Sequence, residues 1–422
     1  MKKRLRFAAI VAGMAIIAVA CSTPAASTAP SAAGSTAPST PADSSAPSSE
    51  APAALTGELT IWHSYSSGAG TELDALNTVL AKVAGPGSAN PDLKVNVLEV
   101  PFADIFNKYN ADAATGAGPD LFIAPNDSLG FQAREGVIAD LDTALAGKLD
   151  GKTDVAVNGS KVDGKLYMVP ESLKAVGLFY DTAKIATPPA TTDALMAGVK
   201  DGSIKAGFFG GVNGMYHEFG WWAAFGGKLM DDTGKCIADQ GGVADAFKYL
   251  QDLQAAGAKF YPNYDDMANA FKAGTIDLIV DGPWATGGYK AEVPTVGSAP
   301  MPAGPSGPAQ PLAGVDGWYI NPNTKDLDLA VNFALAMTDV ESEQVFVEAG
   351  HIPANKDNTI SDPITQGFAD AVATGFPRPQ VKALDNFWGN FGNALQLTLE
   401  AKADPVKAVA DACSAMNKAN GL

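Results

Sequence analysis

Residues 93–124 read LKVNVLEVPFADIFNKYNADAATGAGPDLFIA, and three patterns follow one another within them. Leu93–Val100 alternates apolar and polar residues after Asn90-Pro91, the period of a half-buried strand. From Phe102 to Ala114 the apolar positions Phe102, Ile105, Phe106 and Tyr109 recur at helical spacing. Asp120–Ala124 (DLFIA), entered through Gly118-Pro119, reads as a buried strand. Upstream, Glu58–His63 (ELTIWH) is another short strand after Gly57. The alternation of strand and helix predicts a parallel sheet flanked by helices, an α/β arrangement.

The same logic returns further along. Val176–Tyr180 and Ile276–Val280 read as strands, and Trp318–Ile320 as another after Gly317. Thr191 and Thr192 follow Pro188-Pro189 and suit a helix cap. Val243, Ala246, Phe247, Leu250 and Leu253 make one apolar helical face. In the tail, Leu384, Phe387, Trp388, Phe391 and Leu395 share one stripe, and Val406, Val409, Cys413 and Met416 another. Two α/β lobes follow more naturally than one very large sheet.

Outside these blocks the chain is of a different kind. Lys2, Lys3, Arg4 and Arg6 precede an uncharged, mostly apolar run from Phe7 to Ala20. That run is too short for the roughly 20 residues a membrane span needs. Residues 1–20 therefore predict a secretory signal peptide. Cys21 follows a small residue and resembles the lipidated cysteine of a lipobox, although Ala18 stands where Leu or a β-branched residue is usual. Residues 21–54 are almost entirely Ala, Ser, Thr and Pro. Such a stretch buries too little to offset the entropy of ordering and predicts a flexible tether. The chain is thus expected on the outer face of the cytoplasmic membrane, held by a lipid. No other apolar run is long enough to span a bilayer.

The net charge is −17, and −21 once the four basic leader residues are removed. That balance argues against a nucleic-acid partner, which needs clustered Lys and Arg. Cys236 and Cys413 remain after Cys21, with no CxxC. In an oxidising compartment a disulfide between them and a pair of buried thiols are both open readings. Catalytic signatures are scarce. His217-Glu218 begins a HExxH-like string, but Trp221 stands at the second His position. No GxSxG elbow, P-loop, complete GxGxxG or calcium loop is present. No cofactor and no metal are expected.

Several strings, in order, resemble the family 1 extracellular solute-binding proteins, in their maltose/maltodextrin-binding branch. They are Gly57–Trp62, Gly118–Leu121, Gly136–Leu141, Gly164–Tyr167 with Val169-Pro170, and Asp281–Ala285. The resemblance implies a two-lobed periplasmic-binding-protein-like fold, each lobe a doubly wound sheet with flanking helices and a hinge between them. Carried over, lobe one spans 57–172 plus 315–375 and lobe two 173–314 plus 376–422, which puts Cys236 and Cys413 in one lobe. It implies a non-enzymatic, monomeric receptor that takes sugar in the cleft and delivers it to the permease subunits of a carbohydrate ABC importer.

A sugar offers hydroxyls at its rim and C–H faces, so its site needs flat rings together with Asp, Glu, Asn or Lys. The resemblance makes Trp284 a stacking ring, Trp388 a second and Tyr216 a cleft tyrosine. Trp62 ends a strand at a position able to face the cleft. Asn126 and Asp127 follow the DLFIA strand at its carboxyl end, where α/β folds bind ligands. The resemblance gives Asp127 the role of accepting sugar hydroxyls. Glu171 and Lys174 lie at the crossover between lobes. Lys174 stands where maltose receptors carry a hydroxyl-binding Glu, so another sugar, a polyol or an acidic solute stays open, as does, more distantly, a secreted glycoside-active enzyme. Glu218 and Asp316 complete the cleft candidates.

Overall fold

The computed structural model describes residues 54–65 and 72–422. The expected signal peptide, Cys21 and nearly all of the tether lie outside the described residues. Among the described residues fourteen strands run in the order β1 (Gly57–His63), β2 (Leu93–Glu99), β3 (Leu121–Pro125), β4 (Lys161–Val162), β5 (Lys165–Leu166), β6 (Val169–Lys174), β7 (Gly177–Asp181), β8 (Ala206–Phe209), β9 (Lys259–Tyr261), β10 (Leu278–Asp281), β11 (Val296–Ala299), β12 (Leu312–Ile320), β13 (Ile352–Pro353) and β14 (Phe376–Pro377).

Two larger sheets form the two lobes. The first has the order β13-β6-β12-β3-β1-β2, with β14 beside β12; the second is β11-β7-β10-β8-β9. β1 pairs in parallel with both β2 and β3, as the alternation of strand and helix predicts. β12 runs antiparallel to β3 and β6. In the second sheet β10 is parallel to β8 but antiparallel to β7. Every residue of β3 is buried, because helices cover both faces of the sheet. Helices begin where a short polar side chain satisfies an open N–H group. Thr191, Asp326 and Asp339 accept from Ala194, Leu329 and Ser342. Each such cap stabilises by about 1 kcal/mol.

The chain passes from sheet to sheet with little slack. β6 ends at Lys174 in the first sheet and β7 begins at Gly177 in the second. β12 is a nine-residue strand, of which only the end was legible as Trp318–Ile320. Against it, β6 carries a bulge: Asp316 faces Ser172 and Gly317 faces Pro170, leaving Glu171 unpaired. Pro170 has no N–H to give to a ladder, and a bulge re-aims the extra side chain.

Helix Pro363–Thr374, expected in lobe one, lies mainly against the second sheet and also touches β6 and β13 of the first. The Phe368 ring lies 4.7 Å from Phe179, and Ser298 Oγ donates to Ile364 O at 2.7 Å. Cys236 and Cys413 are joined by a disulfide across 177 residues of sequence, with Cα atoms 5.5 Å apart. Both sulfurs lie in the hydrophobic core around Trp222, Phe247 and Phe391. Among the described residues no helix is long and apolar enough to cross a membrane.

Candidate functional site

Where β6, β12 and the end of β3 meet, charged side chains converge. Lys174 Nζ lies 3.3 Å from Asp316 Oδ1 and 3.6 Å from Asp127 Oδ1. Arg378, following β14, donates through Nη1 to Asp127 Oδ1. Burial opposes the charge of Lys174, but Asp127 and Asp316 outweigh it and raise its pKa. Burial also works against Asp127, but Arg378 and Lys174 prevail and hold its carboxyl below the usual range. Asp316 differs: burial pushes it up to about 6, against the pull of Lys174 and His351. Among the described residues the buried Arg378 Nε has no hydrogen-bond partner.

A second polar group adjoins the first. The bulged Glu171 accepts from His351 Nδ1 at 3.0 Å, while His351 Nε2 lies 3.0 Å from Glu72 Oε1. Burial disfavours the imidazolium, but Glu171 and Glu72 outweigh it and raise the His351 pKa well above the usual histidine range. Tyr65 packs edge-on against His351 with ring centres 6.1 Å apart. Among the described residues its buried hydroxyl has no hydrogen-bond partner.

Opposite stand three aromatic rings on lobe two. Tyr216 lies 6.1 Å from Trp284 and 6.5 Å from Trp388, centre to centre. Lys174 Nζ approaches the Tyr216 and Trp284 rings at 5.7 and 5.9 Å. Trp284 is held from behind: its Nε1 donates to Tyr264 Oη at 3.1 Å, and that hydroxyl donates to the buried Asp281 at 3.1 Å. His217 Nε2 lies 3.4 Å from the same carboxylate. The turn needs Gly282, since a Cβ there would sit 2.1 Å from the Trp284 ring. A groove lined by Asp127, Ser128, Phe131, Val381, Asp385 and Trp388 extends the site outward.

Thus Asp127, Lys174, Asp316, Tyr216, Trp284 and Trp388 come together, and Glu171 borders them. Trp62 does not join them. It is 4 % exposed and belongs to the core with Val100, Ile105 and Tyr109, with the Lys108 ammonium 4.5 Å over its ring. Asn126 braces the backbone, donating to Gly159 O at 2.9 Å and accepting from Val315 N at 3.3 Å. Glu218 is buried in the lobe-two core, where it accepts from Trp221 Nε1 at 2.7 Å. Burial pushes its pKa up to about 8, despite that bond. Arg378, His351, Glu72 and Tyr65 were not named as site residues from the sequence. Arg378 is one of only two arginines after the leader, the one feature of the sequence that sets it apart.

Flat rings facing fixed donors and acceptors across a two-lobed cleft suit a small polar solute with apolar faces. Residues 87–371 match the family of bacterial extracellular solute-binding proteins, well over half of the chain. The chain belongs to that family.

Among relatives of this solute-binding protein is a maltotriose-binding protein of Pyrococcus abyssi, 25 % identical over 362 residues, covering 82 % of this chain and 78 % of the relative. A maltooligosaccharide ABC transporter solute-binding lipoprotein of Streptococcus pneumoniae is 23 % identical over 336 residues, covering 72 % of this chain and 77 % of the relative. The solved maltotriose-binding protein of Thermus thermophilus, bound with maltotriose, superposes with a TM-score of 0.75 at 28 % identity, covering 86 % of this chain and 100 % of that one.

Proposed function

We propose that this protein is the lipid-anchored receptor of a carbohydrate ABC importer. In this reading it binds maltodextrin-type sugars between its lobes and delivers them to the permease. The observation that carries the sugar reading is the trio Tyr216, Trp284 and Trp388 facing Lys174, Asp127, Asp316 and Arg378. The rings take the C–H faces and the charged groups take the hydroxyls. A ligand touching both lobes favours the closed arrangement by its differential affinity, and no bond in it is broken. The names of the relatives support maltotriose-type oligosaccharides. Lys174 by itself left an acidic solute open, but the carboxylates of Asp127 and Asp316 beside it favour a neutral one.

Residues 1–20 act as the signal peptide, Cys21 carries the lipid, and residues 21–54 hold the lobes off the membrane. The packing of Phe368 on Phe179 and the Lys290–Asp362 ion pair at 3.0 Å support moving the expected lobe boundary from 375 to before Pro363.

The test is a thermal-shift screen against maltose, maltotriose, cellobiose, trehalose, xylose, polyols and a uronic acid. Product chromatography runs alongside. A ligand at 100 times its dissociation constant stabilises by about 2.7 kcal/mol. A shift with maltotriose and no hydrolysis upholds the reading. A shift only with the uronic acid, or hydrolysis of the sugar, replaces it.

A further inference from the structure

We propose that Arg134, Gly130, Gln380 and Asp385 form a clamp between the lobes that sets how readily they close, through contacts within the protein itself. Helix Leu129–Glu135 belongs to lobe one: Leu129 is buried in the core with Phe122 and Ile138. Gln132 Nε2 on the same helix donates to Asn110 Oδ1 at 2.7 Å. The turn Lys382–Asn386 belongs to lobe two: Leu384 is buried with Phe387 and Phe391, and Asn386 Nδ2 donates to Asn420 Oδ1 at 2.7 Å.

Arg134 spans the two. Its Nη2 donates to both oxygens of Asp385 at 2.9 and 2.8 Å, and its Nη1 donates to Gln380 O at 2.9 Å. The Gln380 side chain fastens the same seam, with Oε1 accepting from Gly130 N and Nε2 donating to Asn126 O, each at 3.1 Å. A planar guanidinium suits this two-pronged geometry, and a lysine would not reproduce it. The approach also depends on Gly130 having no side chain. A Cβ there would lie 2.6 Å from Gln380 O and 3.0 Å from Arg134 Nη1. Of the two arginines that follow the leader, Arg134 bonds across the seam, while Arg378, held to β12 through its N–H on Ala313 O, bonds Asp127 beside the same sheet.

The clamp acts on the lobe equilibrium. When only one conformation binds well, apparent affinity scales with the fraction of molecules in it. Contacts made only when the lobes meet raise that fraction and slow release of the ligand. This goes beyond the sugar reading and rests only on the two-lobed fold.

The experiment uses the purified full chain with Arg134→Ala, Asp385→Ala, the reversal Arg134→Asp with Asp385→Arg, and Gly130→Ala. Maltotriose affinity is measured by calorimetry and the ligand-free radius of gyration by X-ray scattering. Each single charge deletion is expected to raise Kd about three- to ten-fold, chiefly by faster dissociation. The double reversal recovers most of that loss, which a general weakening of the fold would not do. Gly130→Ala props the seam open and enlarges the ligand-free radius of gyration. Affinities equal to wild type in both single deletions overturn the clamp. If wild type binds none of the sugars, the sugar reading fails by itself. Scattering alone then judges the clamp: a larger radius in Gly130→Ala upholds it, and equal radii overturn it.

Discussion

The guanidinium of Arg378 lies 4.5 Å over the ring of Trp388, and the same group donates to Asp127. One cation therefore ties a carboxylate of lobe one to an aromatic ring of lobe two. Asp127 has a second cation, Lys174, at 3.6 Å. Its oxygens are thus engaged within the protein, where Asp127 aims Arg378.

Replacing Arg378 by Lys retains the charge and loses the planar fork that serves ring and carboxylate together. Affinity for the preferred sugar is expected to fall about ten-fold, or about 1.4 kcal/mol. Calorimetric titration checks it. A Kd unchanged in Arg378→Lys shows that the charge suffices and the fork does not matter.

Trp284 is braced by Tyr264 and, through it, by Asp281. A ring fixed before the ligand arrives loses little freedom on stacking. Trp284→Ala removes an aromatic face that contributes about 1.5–3 kcal/mol on burial, so affinity should drop ten- to a hundred-fold, about those energies. Tyr264→Phe removes the brace and leaves the ring, and should weaken binding by a smaller factor. Equal losses in the two variants would show that the brace matters as much as the ring.

Glu218 makes folding pH-dependent. Burial raises its pKa from the ordinary value of 4.5 to about 8. The folded state therefore holds a proton that the unfolded state releases sooner. The corresponding stability is full below pH 4.5 and is lost as pH rises through 8. Asp316, raised to about 6, and Glu343, raised to about 7 by burial against the attraction of Lys152, act with the same sign and finish sooner. Glu218→Gln keeps an acceptor for Trp221 and cannot ionise. The unfolding free energy from pH 5 to 8.5, followed by denaturant titration, should fall less steeply in the variant, by an amount on the order of 3 kcal/mol. Parallel pH curves for variant and wild type would remove Glu218 as the cause.

Legibility from sequence tracks distance along the chain. Strands β1 and β3 announced themselves because one face or both must be apolar over five to seven residues, whereas β2, an edge strand, keeps the alternating pattern but buries only Leu93 and leaves Val97 and Leu98 exposed. Short strands such as β9 and β13, of three and two residues, hold too few positions for a period to show. Trp62 was misplaced because a strand end leaves two faces open, and only packing on Tyr109 and Phe122 decides between them. The Glu72–His351–Glu171 group joins residues 279 and 180 positions apart. It depends on the bulge at Glu171, which is a property of the pairing between β6 and β12 and belongs to neither strand alone. The resemblance placed Trp284, Tyr216 and Trp388 together because it carried three-dimensional information that spacing lacks.

The disulfide joins the segment before Ala238 to the last helix, Pro405–Asn420, within a single lobe. It leaves the seam between the lobes free. Closing a loop of 177 residues restricts the unfolded chain, and removing such a link costs about 2–5 kcal/mol. Cys236→Ser with Cys413→Ser should therefore lower the melting temperature markedly. Sugar affinity well below the transition should stay within two-fold, because among the described residues no hydrogen bond, ion pair or ring contact of Trp284 or Lys174 involves either cysteine. Calorimetric melting with and without reductant measures the first effect, and titration of the double variant measures the second. A large loss of affinity at unchanged fold would mean that the last helix, and with it helix Trp388–Glu400 against which it packs, shifts when the link is cut.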